Sequence, residues 1–330
     1  MKFNAIVGNP PYQVMDGGGT GSSAIPVYNR FVEIAKLIKP NYISMVMPAK
    51  WYSGGKGLDD FRNNMLKDQR ISYMADFANS RDCFPAVDIA GGICYFLWDQ
   101  NYEGNCKFDN IINGNRLRSI RNLNEFDSFV RHSDSIDIIK KIRQSESNFL
   151  SSIVYSRNPF GLTNNNLHIQ EPFFNSISVF SSKGIFYVNA SDIHLNKDFI
   201  SKWKVIISKT SSEHAGQTDK DGKKRVLSKI EVLPPNFVCS ESYLLINTFD
   251  NEHDAFHLVK YMKTKFTRFL LSTILLTQNI AKDKFKFVPL QDFTSSSDID
   301  WSRPIEDIDR QLYAKYGLTD EEIAFIESMI

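Results

Sequence analysis

The chain has 330 residues, 42% of them hydrophobic and 23% charged, with a formal net charge of +1. A length beyond about 100–200 residues favours two domains with separate cores, and this composition excludes global disorder. Four cysteines without a CxxC pair, and no apolar run of about 18 residues, exclude a disulfide framework and a membrane-spanning helix and lead us to expect a cytoplasmic protein.

In chain order, residues 3–8 are a short apolar run closed by Gly8, Asn9 and two prolines, the pattern of a buried strand ending at a turn. Residues 16–23 are polar and glycine-rich, and the periodic Val27, Phe31, Ile34, Ala35 and Ile38 then predict a helix that stops before Pro40. Strands at 42–47, 71–77 and 89–98, with a helix at 58–66, give the alternation of an α/β sheet. Past residue 118 the pattern turns polar, with a helical stretch at 135–147. Short strands at 185–188, 204–208, 237–239 and 242–246 then surround one helix at 253–272, an α+β pattern. Thr319 and Glu322 form a capping-box pair that opens a final helix. The expected division is 1–118, a helical linker at 119–148, a second domain at 149–297 and a helical tail at 298–330.

Charge is patchy along the chain. Residues 202–229 hold eight Lys/Arg against three Asp/Glu, residues 256–286 seven against one, and residues 291–330 three against ten. Such basic blocks suit phosphate neutralisation, although a solvated surface is the alternative for any single residue.

The segment Asn9-Pro10-Pro11-Tyr12 carries the most specific chemistry. An exocyclic adenine amine is a weak nucleophile because its lone pair is delocalised into the ring. An Asn carbonyl and a backbone carbonyl stiffened by neighbouring prolines would accept both amine hydrogens and raise electron density on the nitrogen. Asn9 and Pro10 fit these roles, and Tyr12 would stack on a base that has left the duplex. A Pro-Pro turn that merely ends the strand is the alternative reading.

Residues 2–13 resemble the catalytic motif of the NPPY-type N6-adenine DNA methyltransferases of restriction-modification systems. The segments 24–33, 43–50 and 84–96 are similar to those that follow it in that family, in the same order. Asn4 departs from the Asp of many relatives. The resemblance implies a partial Rossmann-like methyltransferase sheet followed by an α+β target-recognition domain. It implies catalytic roles for Asn9, Pro10 and Tyr12, and base stacking by Tyr12 and Phe84, a core Phe at position 84 being the alternative. Gly17, Gly18 and Gly19 are expected to belong to a lid over the base, since no Gly-Lys-Ser/Thr follows to make a nucleotide loop.

The family's cofactor is S-adenosylmethionine, held by a strand with a Gly-rich turn and an acidic residue on the next strand. Neither signature occurs in this sequence, so the cofactor-binding half is expected from a separate subunit or an upstream segment. Residues 238–246, 255–271 and 285–290 resemble a target-recognition domain, which implies double-stranded DNA as partner, with Lys223, Lys224, Arg225, Lys263, Lys265 and Arg268 as candidate contacts. A cognate restriction subunit is a further possible partner. The alternative function is an inactive, truncated remnant serving as a DNA-binding specificity module. His253 and His257 lack the glutamate of a zinc hydrolase motif, so no metal is expected and the pair is read as a solvated helix start.

Overall fold

In the computed structural model, which describes residues 3–14, 24–54, 57–89, 91–112, 114–155, 157–212 and 223–330, the apolar run at the start of the chain forms β1 (Ala5–Gly8), whose residues are exposed or half-buried rather than buried as expected, because it lies at the margin of its sheet. Its continuation makes a two-stranded ribbon of β2 (Gln13–Val14) and β3 (Ile25–Pro26). There follow α1 (Tyr28–Ile38), β4 (Tyr42–Pro48), α2 (Asp59–Lys67), β5 (Ile71–Phe77), β6 (Ile93–Asp99), β7 (Cys106–Ile112) and β8 (Asn115–Arg121). Lys39 ends α1 in a left-handed conformation, φ 55°, just before Pro40.

Six of these strands form one mixed sheet in the order β1-β4-β6-β5-β7-β8. Parallel pairing joins β1 to β4 and β5 to β7, whereas β6 and β8 run against their neighbours. The strand expected at 89–98 begins only at Ile93. Gly91 and Gly92, at φ 87° and 79°, turn the chain immediately before it, a conformation that residues with a Cβ rarely adopt.

This unit extends to Ser133 and a second begins at Asp134. The expected boundary at 118 therefore falls inside β8. The hairpin of β7 and β8 escapes the sequence pattern because β7 is buried at consecutive positions that include Asp109 and Asn110, which are 0% and 2% exposed.

The second unit comprises α3 (Ser135–Ser145), β9 (Ile177–Ser181), β10 (Gly184–Val188), β11 (Trp203–Ser208), β12 (Ile230–Leu233), β13 (Phe237–Cys239) and β14 (Tyr243–Phe249). Four helices complete it: α4 (Glu252–Lys263), α5 (Lys265–Ser272), α6 (Ile305–Lys315) and α7 (Asp320–Met329). Its strands form two three-stranded sheets, β10-β9-β13 and β12-β11-β14, with Phe160, Val179, Ile206, Val238 and Leu245 buried in one cluster.

The single helix expected over 253–272 is broken at Thr264, whose ψ is 151°. Two polar groups stabilise the break. The Thr264 hydroxyl accepts the amide of Thr267, and the buried Asp309 carboxylate accepts the amides of Lys265 and Phe266 at 3.0 and 2.9 Å. Together they satisfy the first donors of α5, which a continuous helix would not have needed. Among the described residues, no helix is long and apolar enough to cross a membrane.

Candidate functional site

Because β1, β4 and β5 point the same way, their carboxyl ends share one edge of the sheet. Ligands of open α/β sheets characteristically bind along this edge. From it emerge residues 9–12 after β1, Ala49 after β4, and the segment 78–92 after β5.

Pro10 is buried, Asn9 is exposed and Tyr12 is half-buried, so the first proline anchors the turn while Asn9 faces outward. The Tyr12 carbonyl accepts the Val27 amide at 3.2 Å, and β2 pairs with β3 directly beyond. Gly17, Gly18 and Gly19, expected to belong to a lid, lie outside the described residues. Burial pushes the Tyr12 hydroxyl above its usual pKa range, the Cys83 and Cys94 thiols add to this, and a hydrogen bond from the Asn9 side chain offsets part of it.

The influence of Cys83 on Tyr12 brings the segment of Phe84, itself half-buried, to the same end of the sheet as Asn9. This segment is tightly closed on itself. Ser80 Oγ donates to the Val87 carbonyl at 2.9 Å and accepts the Ile89 amide at 2.8 Å, the Phe84 amide donates to the Ser80 carbonyl at 2.8 Å, and Arg81 pairs with Asp88 at 3.2 Å.

Arg131 fastens its neck. The guanidinium meets Asp76 through Nε at 2.7 Å and Nη2 at 2.9 Å, then donates to the Phe77 carbonyl at 3.0 Å and the Gly91 carbonyl at 2.9 Å. Both charged side chains are nearly inaccessible, at 5% and 1% exposure. A Cβ on Gly92 would lie 2.1 Å from the Phe77 carbonyl and 2.6 Å from Arg131 Nη2, so this close approach requires glycine. Sequence reasoning missed Arg131; the available signal was Asp76, a lone carboxylate inside an apolar strand.

The six basic residues singled out in the second unit separate into two sets. Arg225, Lys263 and Arg268 line one cavity of about 470 Å³, together with Lys229, which the sequence reading did not select. Glu231 is the one carboxylate among the residues lining it. Lys224 is instead buried, Lys223 Nζ donates to the Glu327 carbonyl at 3.2 Å, and Lys265 pairs with the Glu327 carboxylate.

The solvated helix start expected at His253 and His257 is only half realised. His253 is exposed, but His257 is 6% exposed, with Nδ1 2.7 Å from the Phe293 carbonyl and its ring stacked on Trp301. Packing of α4 on the segment 292–301 covers it, a tertiary contact that helical periodicity does not reveal.

Residues 1–84 match the Eco57I restriction-modification methylase family. A protein of Mycoplasma pneumoniae described as an uncharacterized adenine-specific methylase is 36% identical over 159 residues, which are 46% of this chain and 37% of that protein. The type IIL restriction-modification enzyme MmeI, solved in complex with DNA, superposes with a TM-score of 0.53 at 10% identity over 98% of this chain and 56% of its own. For the type IIG restriction endonuclease BpuSI the TM-score is 0.37 at 11% identity, over 98% of this chain and 53% of its own. The chain thus spans about a third of the curated relative and about half of each solved enzyme. The likeness to MmeI is one of fold, a mixed α/β architecture. The resemblance to adenine methyltransferases of restriction-modification systems is shown by the family match and the methylase relative.

Proposed function

We propose, on the premise of that resemblance, that the chain provides the adenine-binding and DNA-contacting part of an S-adenosylmethionine-dependent N6-adenine DNA methyltransferase of a restriction-modification system. The carrying observation is the position of Asn9-Pro10-Pro11-Tyr12 at the carboxyl end of β1, with Cys83, next to Phe84, close enough to influence Tyr12. Asn9 Oδ1 and the Pro10 carbonyl accept the two hydrogens of a flipped adenine's amine, so its nitrogen becomes more tetrahedral and more nucleophilic. Tyr12 and Phe84 flank the base and return about 1–3 kcal/mol of lost stacking.

The cofactor, when bound, supplies an electrophilic methyl group. Among the described residues, those beside Asn9 do not fit it by themselves, because neither a strand-to-glycine turn nor an acidic strand end adjoins the outer edge of β1. That edge is unpaired among the described strands and Val7 on it is 78% exposed. On α1, Phe31, Ile34, Leu37 and Ile38 are also exposed. An unpaired strand with apolar surroundings is a template for further pairing. It receives the cofactor-binding half, as another segment or a separate subunit.

Duplex DNA is the substrate, and the cavity of Arg225, Lys229, Lys263 and Arg268 contacts its phosphates. Four such contacts correspond to a log–log salt slope of about −4.

The test combines the full chain with a subunit that supplies the cofactor half, duplex DNA and labelled S-adenosylmethionine. Asn9→Ala is expected to lower methyl transfer by about a hundredfold or more while leaving DNA affinity unchanged. Transfer that survives Asn9→Ala would overturn the assigned role. Salt-sensitive DNA binding without methylation under any pairing would instead identify a specificity module.

A further inference from the structure

We infer that the first two turns of α4 form a binding site for a borderline divalent metal ion, zinc or copper(II), with His253, Asp254 and His257 as ligands. One ligating atom from each of the three lies within 4.8 Å of the other two, and the two imidazole centroids are 4.1 Å apart. Helical geometry accounts for this. Residues 253 and 257 are four apart, and 254 and 257 three apart, so His257 sits one turn above both partners.

The surroundings of these side chains point to a ligand set rather than a chance meeting. His257 Nδ1 lies 2.7 Å from the Phe293 carbonyl, which can only accept, so Nδ1 carries the proton and the Nε2 lone pair is open. A backbone carbonyl on the non-ligating nitrogen is the usual way metal-binding histidines are oriented and made more basic. The Trp301 ring, 26° from coplanar with His257, restricts the imidazole further. Asp254 is steadied by Asn251, whose Nδ2 donates to Asp254 Oδ2 at 2.9 Å, and its other oxygen completes the set. His253, exposed, is the side that admits the ion.

Two imidazoles and one carboxylate select a first-row ion of zinc or copper type over magnesium or calcium, which require mostly oxygen donors. The positive end of a helix opposes a cation, but Glu252 and Asp254 both lie in this turn and offset it. Three protein ligands leave a position for water. The site is independent of the base-binding residues, since it lies wholly within the second unit. Its role is to brace α4 against the segment 292–301.

The experiment is calorimetric titration of the full chain with zinc chloride, paired with copper(II) quenching of tryptophan fluorescence, for which Trp301 lies 6.2 Å from His257 by ring centroids. One equivalent of zinc is expected to bind, with copper quenching part of the emission at the same stoichiometry. His253→Ala, at an exposed position, is expected to weaken zinc by about tenfold or more with an unchanged apo thermal midpoint. Absence of one-to-one binding would overturn the inference. So would unchanged affinity in His253→Ala, which would place the ion elsewhere.

Discussion

In the N-terminal unit, buried charges meet opposite charges. Asp76 takes Arg131; Asp109, fully buried, takes Arg118 at 2.8 and 3.0 Å; Asp68 takes Lys36 at 2.7 Å and Arg70 at 2.7 Å. In the C-terminal unit, they meet the main chain. Lys204, with no exposed surface, donates to the carbonyls of Phe199, Ile200 and Lys202 at 2.9, 3.1 and 2.5 Å, and Asp309 accepts two backbone amides. A paired charge is held in its ionised form by its partner, whereas a lone charge solvated by peptide groups remains close to neutralisation. Both arrangements make local stability depend on pH, with opposite signs.

The largest effect that would break this contrast is expected from Arg131→Met. Leaving Asp76 buried without its partner should cost about 3–5 kcal/mol, and hydrogen exchange should show the loss in β5 and the 78–92 segment but not in β14 or α4. Equal deprotection of both units would show that the pair is not a local device.

Acidification should next separate the units by sign. Burial alone would raise the Asp68 pKa, but Arg70, Lys36 and Trp98 outweigh it and bring it down to about 2. Its folded value lies below the unfolded one, so its contribution, about 2 kcal/mol, is present above pH 4 and is lost as the pH falls towards 2. For Asp309, burial lifts the carboxyl to about 6, with the backbone amides of Phe266 and Lys265 opposing and Glu327 adding to the rise. Here the folded value is the higher, so stability from this group is fully present below pH 4 and about 3 kcal/mol is lost as the pH rises through 6. Between pH 6 and 4, amides of α5 should therefore become better protected, and Asp309→Asn should flatten that trend. Below pH 4, amides near Asp68 should lose protection, and Asp68→Asn should remove the dependence.

The smallest effect is expected for Lys204→Met. Three carbonyls lose their donor, but the cost of burying the ammonium is lost with it, so the net change should be about 1 kcal/mol in denaturant unfolding. A loss comparable to that of Arg131→Met would remove the distinction between the two ways of burying charge.

Much of the sheet was legible because β1, β4 and β5 are apolar runs flanked by turn residues, as are β11 and β13. What escaped did so for identifiable reasons. The hairpin of β7 and β8 puts Asp109 and Asn110 inside, where Arg118, Tyr73 and the Arg131 carbonyl satisfy them, and no alternation records such partners. Thr264 breaks a helix without proline or glycine because Asp309, 45 residues later, caps the new start. The turn at Asn9 was readable as a turn, since an apolar run closed by two successive prolines is a local pattern. The basic cavity was not, since Arg225, Lys229, Lys263 and Arg268 come together only through folding, and a local count of lysines equally selects Lys224, which is buried.

The neck closed by Arg131 has a consequence for protein engineering. With the Phe77 and Gly91 carbonyls held by one guanidinium, the entropy of bringing the ends of this segment together is already lost before its tip is arranged. Lengthening a loop whose ends are fixed costs only about 0.6 kcal/mol per doubling. Pro85 and Ala86, both exposed and outside the bonds that close the segment, thus form an exchangeable tip. Libraries varying its length and composition should leave β5 and β6 intact.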